Sequence, residues 1–155
     1  GAGSWGRVTD VNSHSIGIEL ANSGDAPFPE PQMVALEQLL VGVLARWSIR
    51  PERVIGHSDM APGRKRDPGP RFDWRRLAAV GLSVWDDGVG QAGADHPLGP
   101  SLTALGYPEV APAARLAAFR LRFRPVGSGG ETAADRALAH RLARRFPVDA
   151  TRGAA

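Results

Sequence analysis

The chain has no cysteine among its 155 residues. That excludes disulfide cross-links and thiolate metal sites, and it leaves the redox compartment open. It also lacks any apolar run long enough to cross a bilayer, so no membrane-spanning helix is expected. Residues 1–10 lack the apolar core of a secretory signal. Because the chain starts with Gly1 rather than Met, this end is expected to be a processed terminus or the edge of a fragment. Lysine is nearly missing too. Eighteen of the nineteen basic residues are arginine, and Lys65 is the only lysine. Arginine is a planar fork that stays charged, whereas lysine is a compact point charge, so a single lysine in an arginine-biased chain singles out position 65. Net charge is only +3. The basic excess is scattered rather than blocked, so no nucleic-acid partner is expected, and a polyanionic or glycan surface fits equally well.

What is present supports one domain, or a core with a small appendage. Hydrophobic residues make up 43%, enough for a packed core. The most informative stretch is residues 56–70. Val54-Ile55-Gly56 reads as the end of a short strand spanning residues 53–56. A loop with two further glycines and three prolines follows, carrying His57, Lys65 and Asp67. Proline disfavours a helical conformation for the residue before it, so Pro62, Pro68 and Pro70 stiffen Ala61, Asp67 and Gly69. A rigid loop at a strand end is a good mount for ligands. A neutral imidazole and a carboxylate are good zinc ligands. Two pairs compete for that role: His57 with Asp67, or His57 with Asp59, which lie on one face of an extended backbone. In the first case Asp59 orients the loop by hydrogen bonds.

Upstream, Ile16, Ile18 and Leu20 alternate with Ser15, Gly17 and Glu19, which predicts a strand with its aliphatic face on a core. Glu19 is the one acid on the opposite face, and Gly17 leaves room for approach there. His14 reads as a surface turn histidine, and Trp5 as a residue over the site or on the core. Residues 22–31 form a Gly- and Pro-rich loop. Helical spacing of Leu36, Leu39, Leu40, Val43, Leu44 and Trp47 predicts a core helix over 31–47. Asp73 is a helix cap with Trp74 and Leu77 on the inner side, Gly81 stops that helix, and Trp85 covers the end of the core. Residues 86–100 read as a linker. Helices are predicted over 101–107, 111–124 and 132–146, with Leu116, Phe119, Phe123, Leu138, Leu142 and Phe146 along one seam as a small bundle. Residues 148–155 are expected to be a disordered tail.

The segment G-H-S-D-x-A-P-G-R-K-x-D-P-G-P resembles the signature of the type 2 N-acetylmuramoyl-L-alanine amidases, the zinc-amidase family that includes the peptidoglycan recognition proteins. N-x-x-S-I-G-I-E at residues 12–19 resembles the family strand bearing its catalytic glutamate. The resemblance runs over residues 5–85, and 101–147 are more loosely similar to a peptidoglycan-binding module. It implies an α/β fold, a mixed β-sheet flanked by helices, N-terminally truncated, with a small helical C-terminal appendage. The implied division is amidase domain to residue 85, linker 86–100, helical module 101–147 and tail 148–155. It implies Zn2+ held by His57 and Asp67, Glu19 as proton carrier and Lys65 as oxyanion stabiliser. The substrate implied is the amide between N-acetylmuramic acid and L-alanine in peptidoglycan or muropeptides; a non-catalytic peptidoglycan binder is the alternative. The family takes a third zinc ligand from a histidine upstream of the glutamate strand. His14, His96 and His140 do not match it, so the chain is expected to be the C-terminal part of a longer amidase.

Overall fold

The computed structural model describes residues 3–149. They form six α-helices: α1 (Glu30–Trp47), α2 (His57–Met60), α3 (Trp74–Ala79), α4 (Leu98–Leu105), α5 (Pro112–Phe123) and α6 (Ala133–Arg145). Of two 3-10 turns, Asn12–His14 precedes α1 and Pro51–Arg53 lies between α1 and α2. The expected mixed β-sheet does not form among the described residues. Among the described residues the only ladder contact is an isolated antiparallel bridge between Trp5 and Val8. An alternating pattern establishes that one face of a segment is apolar, but a strand also needs a second extended segment alongside to take its backbone hydrogen bonds. Neither extended segment has one. Residues 16–20 lay Ile18 and Leu20 against helices, leaving Ile16 largely exposed. In the stretch before α2, the Val54 carbonyl accepts from the Arg122 side chain at 3.1 Å.

Two apolar clusters hold the chain together. In one, Met33, Leu36 and Leu40 of α1 meet Phe72, Trp74, Leu77 and Leu82, with Phe28 and Phe72 edge to face at 5.0 Å. The stripe on α1 is narrower than helical spacing suggests. Leu39 is 49% exposed and Trp47 64%, because neither belongs to the cluster that covers Met33, Leu36 and Leu40. Arg76 of α3 pins the two helices, donating to both Glu30 and Glu37 of α1.

The second cluster crosses the stretch expected to be a linker. Trp5, Val11, Met60 and Val84 pack with Leu102, Tyr107, Phe119, Leu142 and Val148. Asp86, at the start of that stretch, is paired with Arg141 and Arg145 of α6. Val148 belongs to the expected tail, yet it is buried and its carbonyl accepts from Arg53 at 3.1 Å; residues 150–155 lie outside the described residues. The helical seam forms as the spacing implied, with shifted ends. α4 begins before Ser101 because Pro100 sits in its first turn, where no backbone donor is needed. α5 begins at Pro112 for the same reason.

α6 is capped by Thr132, whose hydroxyl accepts from the Asp135 amide while Asp135 returns bonds to Thr132. Burial opposes charge on Asp135, but hydrogen bonds from Arg120, Thr132 and Arg124 outweigh it and hold this carboxyl well below its ordinary value of 3.8. A depressed carboxyl contributes stability above that ordinary value and loses it as pH falls. Urea unfolding across about pH 6 to 2 should therefore show stability falling from about pH 4 downward. Asp135→Asn should flatten that fall and lower stability at neutral pH.

Candidate active site

The local fold around residues 56–70 begins with Gly56. Its backbone N–H donates to Asp59 Oδ2 at 2.8 Å, and the Asp59 amide donates to the Gly56 carbonyl at 3.1 Å. An acid three residues after a helix cap closes the first turn, so His57 lies in a helical turn instead of on an extended loop. A side chain at Gly56 would meet Pro68 Cδ at 2.8 Å; glycine there lets the two ends of the loop close on each other. Gly69, at φ +89°, lies against the backbone of Gly24, which joins the 22–27 loop to the same site.

Within this frame the chain returns so that Ser58 N–H donates to the Asp67 carbonyl at 3.0 Å. The Asp67 side chain then faces His57, with Nδ1 to Oδ2 at 3.1 Å. His57 is partly buried and Asp67 largely exposed, at 31% and 63% of their side chains. Of the two pairs open in the sequence, the structure joins His57 and Asp67. Asp59 is wholly buried and points inward, accepting from Tyr107 Oη at 2.7 Å and from an Arg122 nitrogen at 2.9 Å.

Glu19 lies on the exposed extended segment and Lys65 on the exposed turn after Gly63. Neither hydrogen-bonds or ion-pairs with His57 or Asp67 among the described residues. His14 is exposed, its ring against the Asp10 carbonyl at 2.9 Å. Trp5 is buried against Tyr107, ring centroids 5.0 Å apart, and belongs to the core. Nothing in the sequence singles out Tyr107 and Arg122. They lie 48 and 63 residues from Asp59, and no local pattern links such distant positions. A cleft of about 500 Å³ opens between the end of α1 and Pro51–Arg53, but no histidine or carboxylate lines it.

His57 and Asp67 suit a divalent cation. A tetrahedral zinc with bonds near 2.0–2.2 Å separates its ligand atoms by about 3.3 Å, close to the 3.1 Å between Nδ1 and Oδ2. The donor types, one imidazole nitrogen and one carboxylate oxygen, are also zinc's own. Among the described residues no third histidine or acid joins them.

Residues 1–70 match the family model described as N-acetylmuramoyl-L-alanine amidase. The chain is 36% identical over 176 residues to N-acetylmuramoyl-L-alanine amidase AmiD of Escherichia coli (strain K12), an alignment covering 96% of this chain and 64% of AmiD. The structure of E. coli AmiD with the substrate anhydro-N-acetylmuramic acid-L-Ala-D-gamma-Glu-L-Lys superposes with a TM-score of 0.79 at 34% identity, covering 96% of this chain and 68% of that one. Pseudomonas aeruginosa AMPDH3, in complex with anhydromuramic pentapeptide, gives 0.80 at 32% identity, covering 96% and 69%. The chain thus spans a little under two thirds of the length of its curated relative AmiD.

Proposed function

Since the chain belongs to the N-acetylmuramoyl-L-alanine amidase family, we propose that it hydrolyses the amide joining N-acetylmuramic acid to L-alanine in peptidoglycan or muropeptides. The observation that carries this reading is the approach of His57 Nδ1 to Asp67 Oδ2, within the segment that matches the family model. Two relatives whose structures hold anhydromuramyl peptides make such fragments the first substrates to try. No helix among the described residues is long and apolar enough to cross a membrane.

An amide is a weak electrophile and water a weak nucleophile. His57 and Asp67 would hold a zinc ion, which when bound lowers the pKa of coordinated water and polarises a carbonyl. The protein's other groups then divide the remaining work. Glu19 accepts the proton of the attacking water and delivers it to the departing amine of L-alanine. Lys65 places a positive charge beside the oxygen that turns anionic as the carbonyl carbon becomes tetrahedral. Both side chains are exposed, so they are free to meet a substrate lying along the loop.

Lys65→Ala is expected to lower kcat by about 10²-fold with little change in KM, the pattern of a contact made in the transition state. Steady-state kinetics would check this. The reading as a whole is tested by incubating the protein with anhydro-N-acetylmuramyl tripeptide and zinc. Release of the L-alanyl peptide, abolished by a chelator, is expected. Tight binding of the muropeptide without cleavage would overturn it in favour of a non-catalytic peptidoglycan binder.

A further inference from the structure

We propose that Tyr107 and Arg122, from the C-terminal helical part of the chain, are positioning residues for the His57–Asp67 pair and act through Asp59. The inference builds on the reading of that pair as a metal site, although one of its tests does not depend on metal.

Asp59 has no exposed surface, and its oxygens take three bonds: from Gly56 N–H at 2.8 Å, Tyr107 Oη at 2.7 Å and Arg122 at 2.9 Å. The first closes the turn of α2. The other two anchor that turn to a different part of the molecule. This turn sets both partners of the pair. His57 is its first residue, and Ser58, its second, holds the main chain of Asp67 through the 3.0 Å bond to its carbonyl. Displacement of Asp59 therefore shifts the imidazole directly and the carboxylate through one hydrogen bond.

Arg122 is itself held on several sides. It donates to the Val54 carbonyl at 3.1 Å and to Ser83 Oγ at 3.0 Å, and its guanidinium lies 4.2 Å from the Trp74 ring centroid. Val54 lies on the run into the turn, so one side chain fixes both the approach to His57 and the turn itself. Tyr107 is wedged edge-on between Trp5 and Phe119. Burial, with the Asp59 charge beside it, pushes its hydroxyl well above the ordinary phenol value, so it stays a donor. A second buried pair, Arg120 with Asp135, joins α5 to the start of α6. Arg124 belongs to it through Asp135 and makes no hydrogen bond to the 56–70 loop among the described residues, so it serves as a comparison.

Tyr107→Phe deletes one hydroxyl and keeps the ring. Loss of an outer partner of a metal site commonly costs about 10–100-fold in metal affinity. One step further out, zinc affinity by competition titration is expected to fall about tenfold. Hydrogen exchange at the Gly56 and Ser58 amides should accelerate relative to the amides of α4–α6, with or without metal. Arg122→Lys keeps charge without the fork and should act in the same direction more strongly. Arg124→Ala should lower stability while leaving zinc affinity and those two amides unchanged. Unaltered exchange at Gly56 and Ser58 in Tyr107→Phe would overturn the inference, as would equal zinc affinity in a wild type that binds it. If the wild type takes up no zinc, the metal reading fails by itself, and the exchange data still decide whether Tyr107 positions the turn. If Arg122→Lys does not fold, Tyr107→Phe decides alone.

Discussion

Asp67→Ala should strip the protein of zinc and leave its fold untouched. The Asp67 carboxylate is 63% exposed, and its one ion pair among the described residues is with His57. Its structural duty, accepting from Ser58 N–H, belongs to the main-chain carbonyl, which alanine keeps. Exposed substitutions of this kind usually move stability by no more than about 0.5 kcal/mol. Loss of the anionic ligand acts elsewhere. It leaves His57 alone among the two groups that converge, and removes the negative charge that a dication needs nearby. Zinc affinity should fall by more than the roughly 10–100-fold that loss of an outer partner costs, and amide hydrolysis should fall with it. Elemental analysis after equilibrium dialysis, beside a thermal melt, checks both halves. Unchanged zinc content would remove Asp67 from the site, and a large drop in melting temperature would recast it as a structural residue.

Glu19→Ala should have the opposite signature: full zinc content and a collapse in turnover. A positioned general base is worth about 10²–10⁴-fold in rate, and the same group here also returns the proton to the leaving amine, so the loss should sit at the upper end. Glu19 is exposed and makes no hydrogen bond or ion pair among the described residues, so the variant should fold like the wild type. Glu19→Gln keeps the size and polarity but cannot accept the proton, and should be equally slow. Kinetics on an anhydromuramyl peptide with parallel metal analysis separates this from Asp67. Retained turnover in Glu19→Gln would assign the proton to another group.

The residues differ in how much of this they disclose in advance. α1, α3, α5 and α6 follow from spacing and caps: Leu36 and Leu40 share a face, Asp73 accepts from the Arg76 amide at 2.9 Å, and Thr132 stands three residues before Asp135. How wide a covered stripe is depends on what packs against it, so the exposure of Leu39 and Trp47 is not written in their periodicity. The missing sheet has the same origin. Ile16, Ile18 and Leu20 declare an apolar face, but a ladder is a property of two segments, and none lies beside theirs among the described residues. The turn at His57 did carry a local mark in Asp59, three residues after Gly56, yet the prolines that follow argued for an extended loop. Tyr107 and Arg122 left no mark, since burial and long-range pairing alone make them partners of Asp59.

The imidazole of His57 and the carboxylate of Asp67 should grip one zinc ion. Crystals grown with zinc and measured on either side of its absorption edge test this most directly. One strong anomalous peak is expected within bonding distance of His57 Nδ1 and Asp67 Oδ2, with Glu19 and Lys65 facing the same space. A peak only at His96 and His140, whose rings stack 3.7 Å apart, or on neither side chain of the pair, would rule this out.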